Sequence, residues 1–241
     1  MEGGEFFGRK SLSFVQLHLF LIFPNLPHEI NHMSTATTFP LTQLELAAIS
    51  GGELLRFPIS FAEYWDLLEK AEYRIDYYEH EAIAMSYENE AHSEMVTEFS
   101  HLLKGIFPRT DLQYKVHNSN RPIYIQECDQ VVFSPDGSVV MQPPVYFEYR
   151  PGMTTETTPF LVFEVLSKTT RKYDLGEKFP CYKKIPGLQY ILYIDLERPS
   201  VTVYERQGAH SWMDVEYTNL EAAFDIQGHT LRLQDIYLNV F

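Results

Sequence analysis

The chain has 241 residues, of which 45% are hydrophobic and 15% aromatic, enough for one well-packed domain with appendages. Its formal net charge of −14 excludes a protein that coats nucleic acid through an overall positive field, so a nucleic-acid partner must meet a local basic patch. Cys128 and Cys181 show neither the clustering of a disulfide scaffold nor zinc-ligand spacing, which fits a reduced, cytoplasmic protein.

Ser13–Phe23 is apolar and follows Arg9 and Lys10, but it is too short to span a membrane. It also lacks a small-x-small cleavage pattern, and Glu2 and Glu5 spoil the basic flank of a secretion signal. Residues 1–32 therefore read as an extension outside the domain, with Met33 as an alternative start, 33–57 as a lead-in and 58–241 as the single domain. No membrane partner is expected.

Ser60 and Glu63 have the spacing of a capping box, which predicts a helix through Tyr64–Lys70. Tyr73–Met85 is rich in aromatic and β-branched residues around a polar centre and reads as a hairpin. From Glu90 to Phe107, His92, Met95, Val96, Phe99, Leu102, Leu103 and Ile106 recur at helical spacing. Pro122–Phe133 reads as one strand with Asp129 on a face shared with Ile123, Ile125, Val131 and Phe133.

The 134–159 segment, with Pro135-Asp136-Gly137 and Pro143-Pro144 as turn formers, is expected to be a long loop or flap. Phe160–Leu166 is an apolar run broken only by Glu164, the pattern of a central strand covered on both faces. A helical stretch around Phe179–Lys184, a strand at Tyr190–Asp195, a turn at Glu197–Ser200 and a strand at Val201–Arg206 follow.

A lone ionised carboxylate inside a domain costs several kcal/mol, so those in apolar strands are neutralised, paired or metal-bound. Asp129 and Glu164 on neighbouring strands would suit Mg²⁺ or Mn²⁺. The competing reading makes Asp129 a strand-end cap and Glu164 the partner of a nearby Lys or Arg. Lys168, Arg171, Lys172, Lys178, Lys183 and Lys184 crowd one stretch that holds only Asp174 and Glu177, and form either a phosphate-binding patch or a solvated helix face. His92 reads equally as a core-edge histidine or a site residue.

The run PFLVFEVLSKTTRKYDLGEK, Pro159 to Lys178, resembles the P-x-L-v-v-E-V-L-S-x-(S/T)-T-x-x-Y-D-x-x-x-K signature of the Uma-type restriction endonucleases, in the PD-(D/E)XK nuclease superfamily. Pro180, Tyr182, Gly187, Tyr190 and Asp195 extend the likeness, and Cys128-Asp129-Gln130-Val131-Val132 is similar to the P-D-V-x-V strand with Cys in place of proline. Asp76 through Met85 resembles the acidic hairpin, and His92 falls at the helix histidine.

The resemblance implies a restriction-endonuclease-like α/β core, a mixed β-sheet flanked by helices. It implies catalytic Asp129, Glu164, Lys178 and Asp76, with Asp129 and Glu164 holding Mg²⁺ or Mn²⁺. Lys178 takes this role because Leu166 stands where the superfamily often has lysine. His92, Ser167 and Asp174 are auxiliary, and Lys168, Arg171, Lys172, Lys183 and Lys184 contact DNA. The expected activity is a DNA endonuclease, acting as a homodimer in the way duplex-cutting nucleases often do. The alternatives are a nuclease-fold binding or assembly module without activity, and a metal-dependent hydrolase of a small charged substrate.

Overall fold

The computed structural model describes residues 39–240 apart from 41, 52, 86–88, 109–112, 120 and 239, so the expected 1–32 extension and Met33 start lie outside the described residues. The expected lead-in contributes structure of its own. Thr42 and Glu45 cap helix α1 (Gln43–Ser50), and β1 (Leu55–Pro58) pairs with β3 (Glu81–Met85). Helix α2 (Phe61–Leu68) starts at the Ser60/Glu63 capping box, as its spacing predicts. The hairpin of β2 (Arg74–Tyr78) and β3 turns through Glu79 and His80, both with positive φ. Helix α3 (Glu90–Ile106) is capped by Asn89, which accepts from the His92 N–H at 2.9 Å.

After β4 (Tyr114–Asn118) the expected single strand across 122–133 is a tight hairpin. β5 (Ile123–Ile125) passes through a 3₁₀ turn at Gln126–Cys128 and returns as β6 (Val131–Phe133). Asp129 and Gln130 turn the corner with φ of 55° and 62°, left-handed backbone that a short polar Asp tolerates well. The expected 134–159 loop is also strand: β7 (Gly137–Met141), β8 (Tyr146–Arg150) and β9 (Met153–Glu156). Phe147 and Tyr149 of β8 pack against Trp65 of α2, an apolar alternation that the intervening Glu148 and Arg150 disguise.

The remaining strands are β10 (Pro159–Leu166), β11 (Tyr190–Asp195), β12 (Ser200–Gly208), β13 (Ser211–Thr218), β14 (Ala223–Ile226) and β15 (His229–Arg232). Helix α4 spans residues 171–182 and a short α5 (Leu233–Ile236) follows β15. The strands make a seven-stranded sheet ordered β1-β3-β2-β6-β5-β9-β8, a six-stranded sheet ordered β13-β12-β11-β10-β7-β4 and a hairpin. Among the described residues only β10/β11 and β5/β9 pair in parallel, so the α/β fold is mixed, as expected.

Strand β10 is buried along its whole length because both its faces are covered. Leu161, Phe163 and Val165 pack on Met95, Phe99 and Leu103 of α3, while Val162 and Leu166 pack on Ile83, Ile125, Val131 and Phe133 of the other sheet and on Tyr173 and Tyr182 of α4. The period of two puts Glu164 on the second face, between the sheets and beside α4. Cys128 and Cys181 are joined in a disulfide, which corrects the reading of two separate thiols and removes the argument for a reducing compartment. Among the described residues no helix is long and apolar enough to cross a membrane.

Candidate active site

Glu164 stands at the centre of a polar cluster enclosed by the two sheets. Its Oε1 accepts from Lys178 Nζ at 3.1 Å and from the Tyr182 hydroxyl at 2.6 Å; its Oε2 accepts from the backbone N–H of Asp136 at 3.1 Å. Lys178 and Tyr182 share a face because they lie four apart on α4. That helix winds as α over Arg171–Tyr173, as π over Asp174–Lys178 and as α again over Phe179–Tyr182. The widened turn buries both of its charged ends, and Lys178 Nζ lies 3.1 Å from Asp174 Oδ1.

Asp136 sits just ahead of β7, the strand antiparallel to β10. Its Oδ1 accepts from Arg74 at 2.8 Å and its Oδ2 from the Val165 N–H at 2.7 Å, and His92 Nε2 lies 3.2 Å from Oδ2. Gly137, next in sequence, is required by close approach: a Cβ there would overlap the Phe163 ring and lie 3.0 Å from the His117 carbonyl. Asp76, on the inward face of β2 with Arg74, accepts from the Ser134 N–H at 2.7 Å and the Tyr173 hydroxyl at 2.9 Å.

The structure therefore brings Glu164, Lys178, Asp76, Asp174 and His92 together, but not Asp129. Asp129 is exposed on the β5–β6 turn, where its residue type answers to left-handed backbone. The acid beside Glu164 is Asp136, which the sequence reading treats as part of a turn. The signal was present: Pro135-Asp136 is a literal Pro-Asp pair, and Gly-Ser-Val-Val behind it makes the strand next to β10. Ser167 stands at the entry to α4, its Oγ accepting from the Thr170 N–H at 3.2 Å.

The basic segment also differs from its expected form. Lys178 points inward, Lys168 pairs with Glu197 and Arg171 with Asp195, and Lys183 lies over the Phe179 ring. Lys172 and Lys184 are exposed.

Burial is nearly complete: Asp136 is 2% exposed, Glu164 1% and Lys178 1%. Desolvation pushes Glu164 up to about 8, with Asp174 and Asp136 adding to the rise against Lys178, and it raises Asp76 and Asp174 too. Burial would also raise Asp136, but Arg74, His92 and the Val165 N–H outweigh it and hold that carboxyl well below its usual range. Burial would lower Lys178, but Glu164, Asp174 and Asp76 outweigh it and keep the ammonium charged.

Fully ionised, the four buried carboxyl groups of Asp76, Asp136, Glu164 and Asp174 would exceed the two permanent cations Arg74 and Lys178 by two negative charges, a deficit that His92 beside Asp136, protons or a divalent cation would offset. The donors are hard oxygens suited to Mg²⁺ or Mn²⁺. Among the described residues no three His, Cys, Asp or Glu side chains converge on one cation position. A cation would draw on two carboxylates and a backbone carbonyl. Asp136 Oδ2 and the Val165 carbonyl already converge, lying 3.2 and 3.1 Å from a single atom, His92 Nε2.

Residues 61–236 match the Uma2 family, described as "Putative restriction endonuclease". Two uncharacterized proteins of Synechocystis sp., sll1609 and slr1290, are 28% and 29% identical over 158 and 164 residues, covering 66% and 67% of this chain and 86% and 82% of their own lengths. The crystal structure of a "putative nuclease belonging to DUF820" from Anabaena variabilis matches with a TM-score of 0.57 at 17% identity, covering 72% of this chain and 98% of that one. At that identity the likeness shows the fold.

Proposed function

We propose, on the premise that the chain belongs to the Uma2 family, that it is a metal-dependent nuclease that hydrolyses phosphodiester bonds of DNA. One observation carries this reading: the carboxyl groups of Asp136 and Glu164 meet from adjoining segments, with Lys178 on Glu164, in a cluster of four buried carboxyl groups. Asp136, Glu164 and the Val165 carbonyl would hold Mg²⁺ or Mn²⁺. When bound, that ion polarises the phosphate and makes bound water nucleophilic near neutral pH.

The chain's own residues do the rest. Tyr182 and Lys178 fix Glu164 in one orientation, and Arg74 with the Val165 N–H fixes Asp136. Lys178 supplies a fixed positive charge for the negative charge that builds on a phosphate under attack. Tyr173 and the Ser134 N–H hold Asp76 against Lys178, making Asp76 and Asp174 positioning residues for that lysine. Lys172 and Lys184 remain available on the surface for phosphate contacts, with Lys168, Arg171 and Lys183 behind their present partners.

A second reading, a nuclease-fold binding module that does not cut, is favoured by the same burial, which seals the cluster from solvent. Incubating the protein with supercoiled plasmid in Mn²⁺, in Mg²⁺ and in EDTA separates the two. Nicking that needs metal, disappears in Asp136→Asn and Glu164→Gln and survives in Asp129→Ala is the expected result. Equal nicking by all variants would overturn the site; no nicking by the wild type favours the binding module.

A further inference from the structure

We infer that a groove on the outer flank of α3, the helix whose first turn carries His92, grips the phosphodiester backbone of a nucleic acid, an inference that rests on the nuclease reading above. At 100° per residue α3 carries three stripes. Met95, Phe99 and Leu103 face the core, and Glu90, Glu94 and Glu98 form an acidic stripe. Ser93, Thr97, Ser100 and Lys104, at i, i+4, i+7 and i+11, form a third, which with His101 and with Asn118 at the end of β4 lines a cavity of about 420 Å³. Sites for small ligands run from about 300 to 1,000 Å³, so the space takes a nucleotide-sized piece of chain.

The lining chemistry selects the ligand. In a chain with 33 acidic against 19 basic side chains, no acid lines this cavity, which disfavours a metal ion or a cationic partner. Val96 is the lone large apolar side chain in the wall, which disfavours a lipid or an apolar helix. Hydroxyl, amide and ammonium groups are the set that contacts phosphate and sugar oxygens without reading sequence. The Ser100 hydroxyl is buried without a hydrogen-bond partner, although a helical serine commonly bonds the carbonyl four residues back. Ser100 lines the cavity, and its hydroxyl is a donor with an unmet bond.

Position supplies the link to the site. His92, in the first turn of α3, has its Nε2 3.2 Å from Asp136 Oδ2, and Ser93 is the next residue. With a rise of about 1.5 Å per residue, Lys104 stands about 16 Å farther along the helix. A strand lying in the groove would run along α3 from the turn that carries His92.

The test uses the full chain carrying Glu164→Gln and a short fluorescent DNA duplex followed by anisotropy. Lys104→Glu is expected to weaken binding about tenfold, and Ser100→Ala about threefold. Lys104→Ala should also lower the slope of log affinity against log salt by about one. Lys70→Glu makes the same charge change after α2 and should bind as the Glu164→Gln parent does. Unaltered binding by Lys104→Glu and Ser100→Ala, or no binding by the parent, overturns the groove whether or not the wild type cuts plasmid. Weakened binding alongside a wild type that never cuts upholds the groove while the nuclease reading falls. Displacement of the duplex by equimolar inorganic phosphate would overturn a polymer ligand and leave a free-phosphate site.

Discussion

Two fully buried glutamates flank β7, and they are balanced differently. Glu156 of β9 is bonded to His117 Nδ1 and to the Ser138 hydroxyl at 3.2 Å, with Arg121 Nε at 3.6 Å. One carboxylate there meets a guanidinium and an imidazole, and the group ties β9 of one sheet to β4 and β7 of the other. Glu164 shares its cluster with three more carboxyl groups, and Arg74, Lys178 and the His92 imidazole stand against the four. A buried charge needs compensation, so the first cluster is complete as it stands and serves the fold, whereas the second is complete only with a further cation or with protons.

The sharpest way to break this contrast is activity. Glu164→Gln and Asp136→Asn are expected to lose at least about a hundredfold in nicking rate, the scale of losing a catalytic electrostatic contact, while Glu156→Gln retains it. Next comes ligand-linked stability. At a hundred times its dissociation constant Mn²⁺ should stabilise the wild type by about 2.7 kcal/mol, read as a rise in Tm of about 5–10 °C. Glu156→Gln should keep that rise and Glu164→Gln should lose it; a rise retained in Glu164→Gln would place the metal elsewhere.

Smaller is the expected cost of Glu156→Ala, about 1–3 kcal/mol in a urea titration, because Arg121 and His117 are partly exposed and can turn to water. A pH effect completes the contrast. Glu164 is pushed up to about 8 from its ordinary 4.5, so the stability it contributes in the metal-free protein is full below 4.5 and is lost as pH rises through 8. Asp76 and Asp174 shift in the same direction, whereas the depressed Asp136 acts the opposite way only below its ordinary 3.8. The urea midpoint of the metal-free protein should therefore fall from about pH 5 to about pH 8, less steeply in Glu164→Gln; a flat wild-type profile would count against the excess negative charge.

The two aspartates show where sequence was readable and where it was not. Glu164 stands out because a charge in an unbroken apolar run has few explanations, and the Ser60/Glu63 capping box, the Tyr73–Met85 hairpin and α3 follow from patterns of equal clarity. Asp129 and Asp136 are hard to tell apart in sequence because aspartate suits both turns and buried polar clusters. Asp129 follows an apolar run but answers to a left-handed corner, and Asp136 looks like a turn former but abuts the central strand. Only the register of β7 on β10 separates them, and register is a property of pairing that a single strand does not display. The same limit hid β8 and β9, whose alternation becomes visible once Trp65 covers Phe147 and Tyr149.

The Cys128–Cys181 bond joins residues 53 apart, and the loop it closes holds Asp136, Glu164, Asp174 and Lys178 while leaving Asp76 and His92 outside. As a polymer constraint, a loop of that length removes conformations from the unfolded chain equivalent to about 4 kcal/mol. The polar cluster is thus divided between a part held within one covalent ring and two contributors, from β2 and α3, that only the folded sheets bring to it.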